Sequence, residues 1–166
     1  HRDFVRGIGP RNTAFTWAGV TFLNLDTAAD TWPVSGGERG DLIAQLLGMP
    51  FDPGRTLAVW THRPLMDPRP ELAGTDEAHA VDRPAEAAWL REQVGRLGVD
   101  LMMHGHIHTM LEAELDGIPV RVAGGGLGLK LDGAPDPEAK LLVIEWEAGP
   151  APRLETRWEA LALPPR

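Results

Sequence analysis

With 166 residues, 43% of them apolar and 24% charged, the chain has the size and composition of one ordinary globular domain with enough apolar material for a core. Cysteine is absent, which excludes disulfides, iron–sulfur clusters and thiolate zinc sites, so any metal must rest on histidine and carboxylate. The net charge of −8 disfavours a sequence-independent grip on nucleic-acid phosphates, and no apolar run reaches the ~18 residues of a membrane-spanning helix.

The chain begins at His1 rather than Met, with no charged-then-apolar leader before the first structured-looking segment. A trimmed or incomplete amino terminus is the expectation, with a cytoplasmic location as the default and an upstream signal peptide left open. Val20 to Leu25 is a short apolar run that stops at Asp26-Thr27 and predicts a strand. After a turn at Gly36-Gly37, the spacing of Leu42, Ile43, Leu46 and Leu47 predicts one face of a helix that Gly48 and Pro50 end. Thr56 to Trp60 is a second buried-type strand, ending at Thr61-His62. A proline-rich polar stretch over 63–83 is longer than the common connection, as functional loops and lids are.

A second helix follows, capped at Asp82 or Arg83, with Pro84 in its first turn, Leu90, Val94 and Leu97 on one face, and Gly98 closing it. Val99 to Met103 predicts a third strand running into His104-Gly105-His106-Ile107-His108. Met110–Leu115 and Ile118–Ala123 read as a hairpin turned at Asp116-Gly117, and 140–146 and 153–158 as further strands. Strands alternating with helices, then strands alone, predict an α/β fold: parallel strands with crossover helices and an antiparallel extension.

Three of these strands finish in polar residues that strand formation does not require: Asp26, His62 and the cluster His104, His106, His108. In open α/β sheets ligands bind outside the carboxyl ends of the strands, where all three groups fall. In an extended segment residues i and i+2 project to one side, so His106 and His108 would offer their rings together, with Gly105 supplying a tight turn. Neutral imidazole is the commonest metal ligand, and Mn, Fe, Ni and Zn are all candidate partners. A solvated strand cap is the plain alternative for an isolated His-x-His pair; three histidines within five residues, with His62 on a neighbouring strand end, favour metal.

Thr61-His62-Arg63-Pro64-Leu65 resembles the fourth signature block of the calcineurin-like metallophosphoesterases, and Gly105-His106-Ile107-His108 resembles the fifth. Leu23 to Thr27 and Val122 to Gly126 are similar to the family layout around these blocks. The resemblance covers about residues 20 to 147 and implies the C-terminal half of a sandwich of mixed sheets flanked by helices. Residues 1–166 would then be a single partial domain lacking the N-terminal half. It further implies a binuclear centre of divalent or trivalent transition metals, with His62 and His106 on the second metal and His108 on the first. A bridging water would attack a phosphate mono- or diester in a small phosphorylated substrate. The Gly-His-Ile-His form tilts the resemblance toward the cyclic-nucleotide phosphodiesterase-like branch. His104 sits where the family varies; it is read as supporting the ligands from behind or facing solvent, its rival role being a third ligand of a mononuclear set.

The family's first three blocks, which hold most first-metal ligands and the bridging aspartate, have no counterpart before residue 20. His1-Arg2-Asp3 is read as the tail of the third block, which would make His1 a catalytic histidine; either way the chain alone should be a poor catalyst. His79 could line a substrate pocket, the plainer reading being a solvated loop histidine. The six tryptophans are assigned to core and edge packing, Gly124 to Gly128 to a turn, and Asp26 to no metal. Two other classes remain: a metal-free scaffold of the same fold that binds proteins, and a different His-x-His metallohydrolase. The second would carry its pair after the first strand of a much longer barrel.

Overall fold

The computed structural model describes residues 7, 9–28, 37–52, 54–65, 84–108, 110–124, 140–147 and 153–161. Ten elements follow in order: β1 (Thr13–Trp17), β2 (Val20–Leu25), α1 (Gly37–Leu47), β3 (Thr56–Thr61), α2 (Pro84–Gly95), β4 (Leu101–His104), β5 (Met110–Leu115), β6 (Ile118–Ala123), β7 (Lys140–Glu147) and β8 (Arg153–Ala160). The first six strands form one mixed sheet in the order β1-β2-β3-β4-β6-β5. Its centre, β2-β3-β4-β6, is parallel, and β1 and β5 close the edges antiparallel. The described part is thus a mixed sheet with few helices, compatible with the expected α/β class.

Burial explains the pattern. β2 and β3 are buried at every position but one, as parallel strands covered on both faces must be, so they read as continuous apolar runs. On one face Leu23, Leu25, Leu57, Val59 and Met102 meet Ile43 and Leu47 of α1 and Leu90 and Val94 of α2. On the other, Val20, Phe22, Ala58, Leu101 and Met103 meet Leu142, Ile144, Trp146 and Leu154 of the two-stranded β7-β8 sheet. Both described helices pack on the first face and the β7-β8 sheet on the second, so the described residues form a mixed sheet with helices on one face and strands on the other.

The second face is only partly covered. Phe15 stacks on Phe22, and Trp17 meets Trp146 edge-on, yet the two remain 51% and 63% exposed, and Trp60 in β3 is 46% exposed. The assignment of the tryptophans to core and edge packing holds for Trp17, which packs on Trp146 from the edge strand, while Trp60 in a central strand stays half exposed. Trp32 lies outside the described residues.

The differences from the sequence reading have local causes. β1 was not expected; it pairs with β2 through Ala18 and Gly19, both at positive φ, a two-residue turn suited to the twist of a hairpin but written without the Asn-Gly or Asp-Gly pair that announces one. Asp116-Gly117 does carry that pair, and both residues have positive φ. α1 begins at Gly37 itself rather than after a glycine turn there. β4 begins at Leu101, not Val99, because Asp100 is tied to Leu57 at both ends: its N–H donates to the Leu57 carbonyl at 2.9 Å and its carboxylate accepts the Leu57 N–H at 2.8 Å. α2 ends at Gly95, and Gly98, at φ +64, makes the left-handed exit. The expected cap at Asp82 or Arg83 and the loop from 66 onward lie outside the described residues.

Candidate functional site

Thr61 and His104 are register partners at the carboxyl ends of neighbouring parallel strands, so the segments leaving β3 and β4 start side by side. His62 and Gly105 then come together: the Gly105 N–H donates to the His62 carbonyl at 3.1 Å. The two imidazoles follow. His62 Nε2 lies 3.2 Å from His106 Nδ1, with ring centroids 5.0 Å apart and planes inclined by 68°. Residues 44 positions apart in sequence thus present two ring nitrogens to one point on the sheet edge.

The backbone that aims His106 is unusual. Its φ is +62, a left-handed value rare in a non-glycine residue, and the Ile107 N–H donates back to the Gly105 carbonyl at 2.7 Å, closing a three-residue turn. Strain of this kind costs about 1–3 kcal/mol and persists only where surroundings impose it. Ile107, fully buried, anchors the turn in the core. Gly124, just past β6, fits against it so closely that a Cβ there would lie 1.9 Å from the Ile107 carbonyl oxygen. The conformational demand expected of Gly105 falls on its neighbour: Gly105 has no positive φ, and a Cβ there would meet His62 Nδ1 at an ordinary 3.6 Å.

The turn also changes the geometry of the cluster. The segment past β4 is not extended, so alternation does not place His106 and His108 on one side. His106 turns toward His62, while His108 is exposed. Among the described residues no three His, Asp or Glu side chains gather as a metal-binding group.

His104 is buried, 3% exposed, rather than facing solvent. Its Nδ1 lies 2.6 Å from Thr61 Oγ1, and loss of solvation pushes its pKa down to about 3, so the ring is neutral at ordinary pH. Thr61 Oγ1 donates to the Arg63 carbonyl at 2.7 Å. Thr27, beyond the end of β2, accepts the Arg63 N–H at 2.8 Å and donates to the Arg63 carbonyl at 3.2 Å. Thr61, Thr27 and Gly124 were given no role of their own from sequence, although all three fall in the segments that carry the family resemblance and two of them are polar residues at buried strand ends. The Asp26 carboxylate pairs with Arg11 at 3.3 Å and accepts the Ala28 N–H at 3.2 Å. His1 and His79 lie outside the described residues, as do 125–128 of the expected glycine turn.

The donor chemistry fits a cation in part. Two metal–nitrogen bonds of ~2.0–2.1 Å meeting at a tetrahedral angle separate the nitrogens by ~3.4 Å, and at a right angle by ~2.9 Å. The observed 3.2 Å falls between them. A cavity of about 570 Å³ lies away from this edge, among Phe15, Phe51, Asp52 and Arg55 near the amino ends of the parallel strands.

No family model and no curated protein matches the chain. Among solved structures it is similar to GAP50, the anchor in the inner membrane complex of Plasmodium, with 14% identity and a TM-score of 0.43 over 74% of this chain and 39% of that one. It is similar to Vps29 complexed with Zn+2 from Entamoeba histolytica, with 9% identity and a TM-score of 0.38 over 95% and 74%. It is also similar to Vacuolar Protein Sorting 29 from Cryptosporidium parvum, with 12% identity and a TM-score of 0.26 over 92% and 100%. The chain spans 39% of the length of GAP50, and likenesses at this level assign neither a family nor a role to any residue.

Proposed function

We propose that the chain supplies part of a metal-dependent phosphoesterase site. His62 and His106 share one transition-metal cation, His108 contributes to a second, and the remaining ligands come from outside the described residues. The observation that carries this reading is the 3.2 Å approach of His62 Nε2 to His106 Nδ1 at adjoining strand ends. When bound, such cations polarise phosphoryl oxygens and lower the pKa of a coordinated water enough for it to attack phosphorus at neutral pH. The chain's own part is to hold both imidazoles converging on one point; imidazole ligates as the neutral ring. His62 is placed by its clamped backbone, and His106 by a left-handed turn wedged against Gly124. A small phosphate mono- or diester is the proposed substrate class.

A second reading is a metal-free scaffold that binds another protein. Two observations favour it: no third potential ligand joins the His62–His106 pair among the described residues, and Phe15, Trp17 and Trp60 expose aromatic surface on one sheet face.

Titration of the full chain with Zn and Mn by calorimetry separates the two. His62→Ala and His106→Ala should each weaken metal binding about a hundredfold, at the upper end of what even an outer supporting group is worth. Unchanged stoichiometry and affinity in both variants would overturn the metal reading. Hydrolysis of an aryl phosphomonoester against an aryl phosphodiester by the full-length protein, with the remaining ligands present, then assigns the substrate class.

A further inference from the structure

We propose that His104 is a positioning residue: through Thr61 it clamps the 62–63 turn and so sets where the His62 ring stands relative to His106. The inference deepens the phosphoesterase reading and rests on it only for the use to which the positioned pair is put.

The bonds have one consistent direction. The Thr61 hydroxyl has a single proton, which it gives to the Arg63 carbonyl at 2.7 Å. Its oxygen can therefore only accept in the 2.6 Å contact with His104, so the His104 ring carries its proton on Nδ1 and donates it. Both partners are buried, where a hydrogen bond is stronger than in water and an unmade one is costly. Around the turn three backbone atoms are held from three strand ends. The Arg63 carbonyl takes hydroxyls from Thr61 and Thr27, the Arg63 N–H goes to Thr27, and the His62 carbonyl takes the N–H of Gly105. No hydrogen bond in this set reaches the His62 ring itself; the ring is aimed because the peptide on each side of it is fixed. His104 thereby links the two segments that carry the facing imidazoles, as the last residue of β4 on one side and the donor to the β3 exit on the other.

The test uses four variants of the full chain. Thr61→Val and His104→Leu delete the bond while keeping bulk; Thr61→Ser and His104→Asn keep a hydroxyl and an N–H donor near the same places. Two readouts are taken on folded protein: zinc affinity by calorimetry, and the nuclear Overhauser contact between the ring protons of His62 and His106 without metal. Thr61→Val and His104→Leu should lose the ring contact and bind zinc about tenfold or more weakly, the usual scale for groups that orient ligands. Thr61→Ser and His104→Asn should restore both. The proposal is overturned if Thr61→Val keeps the ring contact, or if the conservative pair fails as badly as the deleting pair, which would make bulk rather than the bond responsible. Should His104→Leu not fold, the isosteric Thr61→Val decides alone. Should the unaltered chain bind no zinc, the phosphoesterase reading fails, and the ring contact still decides this one.

Discussion

The last residue of β4 and the second residue beyond it are both histidines, and their surroundings are opposite. His104 is inside the protein, on ordinary strand backbone, with its Nδ1 bonded to Thr61 and its charged form suppressed by burial. His106 is partly exposed, on left-handed backbone, with its ring turned to His62. The first histidine belongs to the ladder of hydrogen bonds; the second lies just past the point where the ladder stops. A strand end in this fold thus converts one residue type into two devices, a buried donor that shapes the edge and an accessible nitrogen that the edge presents.

Three experiments would break or sharpen that contrast, beyond those already described. The largest effect is expected from Gly124→Ala, because a Cβ placed 1.9 Å from a backbone oxygen forces main chain to move. A loss of about 3 kcal/mol, at the upper end of overpacking costs, should appear as a lower denaturation midpoint at unchanged m-value. If Gly124→Ala instead unfolds like the unaltered chain, the wedge under the His106 turn is not what holds it.

The next effect is on pH. Burial lowers the folded pKa of His104 from 6.5 to about 3, so on acidification the unfolded chain takes up this proton first. The contribution is fully present above about pH 6.5 and is lost as pH falls toward 3, at about 1.4 kcal/mol per pH unit. Urea midpoints between pH 7 and 4 should fall less steeply in His104→Asn, and identical slopes would contradict a buried neutral ring.

The smallest effect separates strain from ligation at His106. Glycine tolerates φ +62 and alanine does not, so His106→Gly should be more stable than His106→Ala by about 1 kcal/mol although both lack the ring. Equal stabilities would mean that the left-handed turn relaxes once the imidazole is removed.

Much of the framework could be read before any coordinates. The runs at 20–25 and 56–60 announced buried parallel strands because both faces are covered, and Asp116-Gly117 announced its hairpin because both turn residues must take positive φ. β1 escaped because Ala18-Gly19 does the same job without the usual signal, and because its Phe15 and Trp17 lie at the exposed edge of the sheet rather than in a buried run. His62 and His106 were expected to meet and do. A solvent-facing His104 was one of two readings drawn from its place in the family resemblance, and burial at the last position of β4 decides against it; the shared side expected of His106 and His108 came from extending strand alternation past residue 104, where the chain is no longer a strand.

The sequence by itself determined the α/β alternation, the strand ends on which histidines would gather and the absence of thiolate chemistry, since these depend on residue type and on spacing along the chain. Only the tertiary structure decided which histidine is buried and which faces another, that Thr27 and Thr61 clamp the intervening turn, and that Gly124 must have no side chain. Those properties arise where separate strands end beside one another, and the distance from Ile107 to Gly124 or from His62 to His106 is written in no local pattern.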